Sequence, residues 1–171
     1  KHWVMVLNER DGHSIYISSN LKEWTYQSHI TGFWECPELF ELPIDGDPNN
    51  TKWVMYGATG TYMLGSFNGK VFKPEMGKYQ YTTGSIYAAQ TFTNMPDGRR
   101  IQIGWGRISH PGVPFNGMMC LPTELTLRTT KDGPRLFNVP IKESEQLFTP
   151  LRQWNSLKAN EANELLKEFE N

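Results

Sequence analysis

Cysteine is scarce, neither sign of charge is in excess, and no apolar run is long. The two cysteines, Cys36 and Cys120, match no zinc-ligand spacing and build no disulfide framework. A single bridge is the most they allow, so the redox compartment stays open. Seventeen basic residues stand against eighteen acidic ones, which leaves no electrostatic footprint for nucleic acid or for an anionic membrane surface. No stretch approaches the roughly 18–20 apolar residues of a membrane span. There is no initiator methionine and no leader either: Lys1-His2 runs straight into Trp3-Val4-Met5-Val6-Leu7, which reads as a mid-sheet strand. The expectation is a piece of a longer protein, with its targeting information elsewhere.

What is present is aromatic and strand-forming. The 171 residues suffice for one domain with a sizeable core, and 13% of them are aromatic, six being Trp. Such side chains suit sheet faces and sugar-stacking surfaces alike, and sheet packing alone explains most single Trp residues. Short apolar or alternating runs separated by turn residues give the all-β pattern. Strands are predicted over Trp3–Leu7, Ser14–Ser18, Glu38–Leu42, Lys52–Ala58, Thr61–Phe67 and Ile86–Phe92, then Arg100–Trp105, Met118–Leu121, Glu124–Thr129 and Pro134–Val139. Arg10-Asp11-Gly12, Asp45-Gly46-Asp47-Pro48, Asn68-Gly69, Asn94–Gly98 and Lys131-Asp132-Gly133 break them, several being suited to tight hairpins.

A slower rhythm overlies the strands. His2-Trp3-Val4-Met5 returns as Lys52-Trp53-Val54-Met55, and Arg100–Trp105 opens a third unit about as far again along the chain. A period near fifty, each unit built of several strands, is propeller-like, a β-sandwich with coincidental strings being the alternative. After Pro140 the composition turns polar, and Leu165, Leu166 and Phe169 fall at helical spacing. Residues 1–143 are therefore read as the C-terminal portion of a β-propeller, about two and a half blades. Residues 144–171 are read as a linker or tail, with a short helix as one form of it.

One segment carries chemistry: Gly32-Phe33-Trp34-Glu35-Cys36-Pro37-Glu38-Leu39-Phe40. Pro37 removes a backbone donor just ahead of an apolar strand, as it can at a first strand position or an edge. Phe33 and Trp34 beside Glu35 would desolvate its carboxyl group and favour the neutral form, which a general acid needs near neutral pH. A surface glutamate in a loop is the competing reading.

The string Trp34-Glu35-Cys36-Pro37 resembles the Glu-Cys-Pro acid/base motif of glycoside hydrolase family 32, the invertases, inulinases and levanases. Other stretches fall in the family's order. Ser18–Trp24 is similar to its Ser-x-Asp-Leu-x-x-Trp, Gly65–Phe72 to its Gly-x-Phe-Asp-Gly-x-x-Phe turn, and Tyr87-Ala88-Ala89-Gln90 to its Tyr-Ala-Ala-Gln strand. Gly98–Trp105 and Leu121–Leu127 complete a likeness that runs from about Trp3 to Val139. It implies a five-bladed propeller, a retaining mechanism on fructosyl bonds, and Glu35 as acid and later base. Trp34, Tyr87 and Trp105 become candidates for the sugar-binding wall, and no metal or organic cofactor is implied.

Departures from the family pattern are equally specific. The nucleophile motif Asn-Asp-Pro-Asn-Gly does not occur, and Arg10-Asp11 is followed by Gly12 rather than by the proline of the transition-state motif Arg-Asp-Pro. That role is not carried over to Asp11. Ser85 stands where the family commonly has an Asp, which touches subsite contacts and not the reaction class. The expected partners are a fructose-containing oligo- or polysaccharide and the missing N-terminal blades of the same protein. A non-catalytic fructan-binding propeller and an arabinanase-like propeller remain as alternatives. Linkage preference and localisation stay open, polymeric fructan requiring an exported enzyme.

Overall fold

The computed structural model describes residues 1–149 and 156–167. Among them the strands β1 (Trp3–Glu9), β2 (Gly12–Ser18) and β3 (Thr25–Thr31) form an antiparallel three-stranded sheet. The strands β4 (Glu38–Ile44), β5 (Asp47–Tyr56), β6 (Thr61–Phe67) and β7 (Phe72–Gln80) form a four-stranded antiparallel meander. A second meander runs through β8 (Ile86–Phe92), β9 (Ile101–Gly106), β11 (Thr123–Thr130) and β12 (Gly133–Pro140). The two-residue β10 (Met118–Met119) pairs with the far end of β9. The near-fifty recurrence is explained by position: β5 and β9 are the second strands of their meanders, and β1 carries the matching string.

Alternation along β4 and β5 builds two cores. Phe40, Leu42, Ile44, Val54 and Tyr56 point to one side, where Leu125, Leu127 and Leu136 of the next blade meet them. Leu39, Trp53 and Met55 point to the other, against Ile15, Phe33 and Phe72. Successive side chains of a strand face opposite ways, so the middle blade is buried on both faces. Each of these large side chains contributes about 1.5–3 kcal/mol when fully covered. At the two ends of the middle blade the burial differs: β4 is largely buried and β7 largely exposed.

Turn chemistry sets the register. Asp45 and Gly46 both have positive φ, 54° and 79°, and join β4 to β5 as a two-residue loop. Strand β5 thus begins at Asp47, and Pro48, expected within the turn, lies inside the strand. Asp45 also ties the two meanders together: its carboxylate accepts from the Thr129 N–H at 2.9 Å and the Thr129 hydroxyl at 2.6 Å. Asn20 shapes the turn before β3, its Oδ1 accepting the Lys22 and Glu23 N–H groups, each at 3.0 Å.

Beyond β12 a short 3₁₀ turn, Lys142–Leu147, is anchored rather than free. Arg99 grips Glu143 at 2.7 Å, and Ser144 is buried. The helix α1 (Ala159–Leu166) includes Leu165 and Leu166 of the expected helical spacing. Phe169 lies outside the described residues.

Candidate active site

The segment Phe33–Cys36 is a tight loop just ahead of β4, the buried end of the middle blade. Glu35 and Cys36 adopt φ of 43° and 42°. Left-handed backbone at a residue with a Cβ costs about 1–3 kcal/mol and persists only where neighbours impose it. Those neighbours come from three directions. The Glu35 N–H donates to Asn8 Oδ1 at 3.0 Å. The Ala58 N–H reaches the Trp34 and Glu35 carbonyls, both at 2.9 Å. Gly57 supplies room: a Cβ there would lie 2.9 Å from the Trp34 oxygen and 3.4 Å from the Glu35 oxygen. Phe33 is the inward anchor, buried and stacked on His13 with ring centroids 5.1 Å apart. It therefore belongs to the core, and does not provide the apolar lining beside Glu35 that its position in the sequence suggests.

The Glu35 carboxylate is half-buried and accepts a hydrogen bond from the Tyr87 hydroxyl across the seam between the two meanders. That bond is the first cause of a Tyr87 proton affinity raised above the ordinary phenol value. The Trp34 side chain pulls the other way as a donor. The Tyr87 ring meets Trp105 edge-on at 6.5 Å, and the Arg107 guanidinium lies over the same ring at 4.1 Å. Trp34 and Trp105 are exposed. Beside Trp105 opens a cleft of about 250 Å³ lined by Trp105, Arg107, Ile108, Ser109, Asn116 and Gly117. All four site residues expected from the sequence thus meet in one place, and Arg107 joins them without any signal in the sequence.

A second carboxylate, Glu38, lies three residues on and is spoken for. Its oxygens accept from the Tyr56 hydroxyl at 2.7 Å and the Thr91 N–H at 2.8 Å. Gln102 donates to Tyr56 at 3.0 Å and to Tyr81 at 2.8 Å. Burial, reinforced by the Glu38 charge, drives the Tyr56 hydroxyl far above the ordinary phenol range, and burial pushes Tyr81 up to about 12. Neither hydroxyl ionises in the working range, so both serve as fixed hydrogen-bonding groups that join the two meanders. Asp11 sits in the exposed β1–β2 turn, paired to His29 at 3.0 Å. Ser85 is exposed, its carbonyl accepting the Arg107 N–H at 2.9 Å. Cys36 and Cys120 are both free. Among the described residues no three His, Cys, Asp or Glu converge as a metal site requires, and no helix is long and apolar enough to cross a membrane.

The model of the "Glycosyl hydrolases family 32 N-terminal domain" matches residues 1–140. The chain belongs to glycoside hydrolase family 32. Among its relatives in that family, a levanase of Bacillus subtilis is 37% identical, over 92% of this chain and 27% of the levanase. An extracellular exo-inulinase of Aspergillus niger is 30% identical, over 81% of this chain and 32% of the inulinase. Among solved structures, the β-fructofuranosidase of Schwanniomyces occidentalis in complex with fructosyl-erythritol superimposes with a TM-score of 0.70 at 26% identity. That match covers 82% of this chain and 33% of the enzyme. The fold is mostly β and follows the β-propeller enzymes of family 32, of which the chain covers part. It spans about a quarter to a third of the length of these relatives.

Proposed function

We propose that this chain carries the acid/base side of a retaining fructosyl hydrolase, with Glu35 as the proton donor. The observation that carries the reading is the Glu35–Tyr87 hydrogen bond at a half-buried carboxylate flanked by exposed Trp34 and Trp105. A retaining glycosidase holds two carboxyl groups roughly 5–5.5 Å apart, a nucleophile and an acid that later acts as base. Glu35 would protonate the departing oxygen of a fructosyl bond, then take the proton of the water that releases fructose from the enzyme. Tyr87, already bonded to one carboxylate oxygen, would steady the group through both steps. Trp34 and Trp105 offer ring faces to the apolar side of a sugar.

The nucleophile is assigned to another part of the protein. Asn-Asp-Pro-Asn-Gly is absent from the 171 residues, both oxygens of Glu38 are engaged, and Asp11 lies in an exposed turn. The 171-residue chain by itself should then release no sugar from sucrose or fructan, since the covalent route needs both carboxylates. An upstream Asn-Asp-Pro-Asn-Gly in the parent reading frame is expected. The family match ending at residue 140 supports reading 1–143 as propeller and 144–171 as a tail.

The test is Glu35→Gln in the full-length protein. Sucrose leaves through a poor leaving group, so fructosylation should slow by about 10²–10⁴-fold, the usual range for a lost general acid. A donor with a strongly acidic leaving group should still react at nearly the parent rate, giving a burst followed by slow release. Equal slowing with both donors removes the acid assignment. Unchanged turnover with both favours a non-catalytic role for this face.

A further inference from the structure

Glu35 is held from beneath by a pair of residues that its motif does not contain. Asn8 on β1 and His13 on β2 are direct cross-strand partners, so their side chains emerge on one face of the sheet. That face underlies the Phe33–Cys36 loop. The Asn8 side-chain oxygen takes the Glu35 N–H, a donor in a left-handed backbone that the loop itself leaves without a partner. His13 is wholly buried and lies nearly parallel to the Phe33 ring, 14° between planes.

The presence of histidine there is costly. Both ring nitrogens are buried without a well-formed hydrogen bond, although buried polar groups are almost always paired. Further support reaches the same loop from Lys78, which donates to the Gly32 carbonyl and lies 5.5 Å from the Phe33 ring centre. A histidine kept in so dry a site and stacked on Phe33, the anchor of the acid loop, fits a role in the shape of that loop.

We propose that Asn8 and His13 are positioning residues for Glu35: they fix the left-handed turn that aims its carboxyl group at the leaving-group oxygen. The inference rests on the reading of Glu35 as the acid. Neither residue touches substrate. Asn8 acts by holding the Glu35 N–H and His13 by seating Phe33 two residues earlier, and a misplacement of about 1 Å can cost about a hundredfold in rate.

The experiment uses the full-length protein carrying Asn8→Ala, His13→Ala or Glu35→Gln, and each of the first two combined with Glu35→Gln. Fructosylation is followed with sucrose and with a donor whose leaving group is strongly acidic, and folding is verified by thermal unfolding. Loss of one tether should slow the sucrose reaction about tenfold, a fraction of the cost of full misplacement, with the loss in kcat and little change in KM. The acidic donor should react at the parent rate, and neither substitution should slow the Glu35→Gln enzyme further. Asn8→Asp, which keeps an acceptor oxygen, should recover most of the loss at its own pH optimum. Asn8 is only half-buried, so its variants decide the matter if His13→Ala does not fold. Selective slowing by Glu35→Gln without any by Asn8→Ala overturns the positioning role and leaves the acid in place. Equal slowing of both donors by Glu35→Gln removes both readings together.

Discussion

Replacing Gly57 by alanine is a one-methyl probe of the seat beneath Glu35, the proposed proton donor. The backbone of Gly57 lies outside the left-handed region, so alanine fits conformationally and the only obstacle is space. The new Cβ would stand 2.9 Å from the Trp34 oxygen and 3.3 Å from its nitrogen, where ordinary contact begins near 3.4 Å. The Trp34 carbonyl has to retreat by about half an ångström, and it is held in place by the Ala58 N–H at 2.9 Å. Overpacking of this kind costs about 1–3 kcal/mol, offset by about 0.4–1 kcal/mol from the reduced freedom of the unfolded chain. The net loss is about 1–2 kcal/mol, or roughly 2–8 °C in Tm for a chain of this size. If Glu35 is the proton donor proposed above, the shift in the full-length protein should pass to it and slow reaction with sucrose about tenfold, with an acidic-leaving-group donor little affected. Differential scanning calorimetry and burst kinetics with the two donors measure both effects. A raised Tm with unchanged sucrose kinetics would mean that the loop does not rest on Gly57, and the account of how Glu35 is aimed would fail.

Two more outcomes follow from buried polar groups. Tyr56→Phe removes the hydroxyl shared by Glu38 and Gln102 and should cost about 2–4 kcal/mol in urea unfolding, against about 1 kcal/mol for Tyr81→Phe, whose hydroxyl serves Gln102 alone; equal losses would refute the shared bond. His13 is held neutral down to about 4 by burial, with the His29 and Lys78 charges adding to the effect and the Glu35 backbone opposing it. The unfolded chain takes up this proton near 6.5 and the folded chain only near 4, so stability complete above that range falls through it as pH drops, by at most about 3 kcal/mol. His13→Phe should flatten the fall of Tm between pH 7 and 4, and an unaltered slope would place the titration elsewhere.

The fold was legible where strands alternate cleanly and illegible where they do not. Strand β3 runs Thr25-Tyr26-Gln27-Ser28-His29-Ile30-Thr31, with no apolar alternation, because it is half-exposed at the end of its sheet. Strand β7 contains Pro74 and Gly77, which read as breakers in sequence. At the exposed end of its meander a missing N–H at Pro74 is tolerated, and the register shifts there absorb both residues. At the site, Trp34 and Glu35 announce themselves through a contiguous motif, and Tyr87 and Trp105 through neighbouring motifs on the next blade. Asn8, His13 and Arg107 do not. Each acts through a partner 20 or more residues away in the chain, on a sheet face that no local pattern encodes. Phe33 misled for the same reason: nearness to Glu35 in sequence suggested a lining, whereas its ring packs inward on His13 and joins the core with Ile15 and Phe72.

The separation between Glu35 and Tyr87 also has a bearing on synthesis. Tyr87 lies fifty-two positions beyond Glu35, and all of β4, β5, β6 and β7 lies between them. Once Gln80 has emerged from the ribosome, Asn8, His13, Gly57, Ala58 and Lys78 are all free to hold the loop around Glu35. Its carboxylate still faces water with no phenol beside it. The hydroxyl arrives with the first strand of the following meander, and Trp105 and Arg107 some twenty residues later. A chain arrested at that stage therefore exposes a shaped loop with a bare carboxylate, and only growth of the next sheet gives that group its final environment.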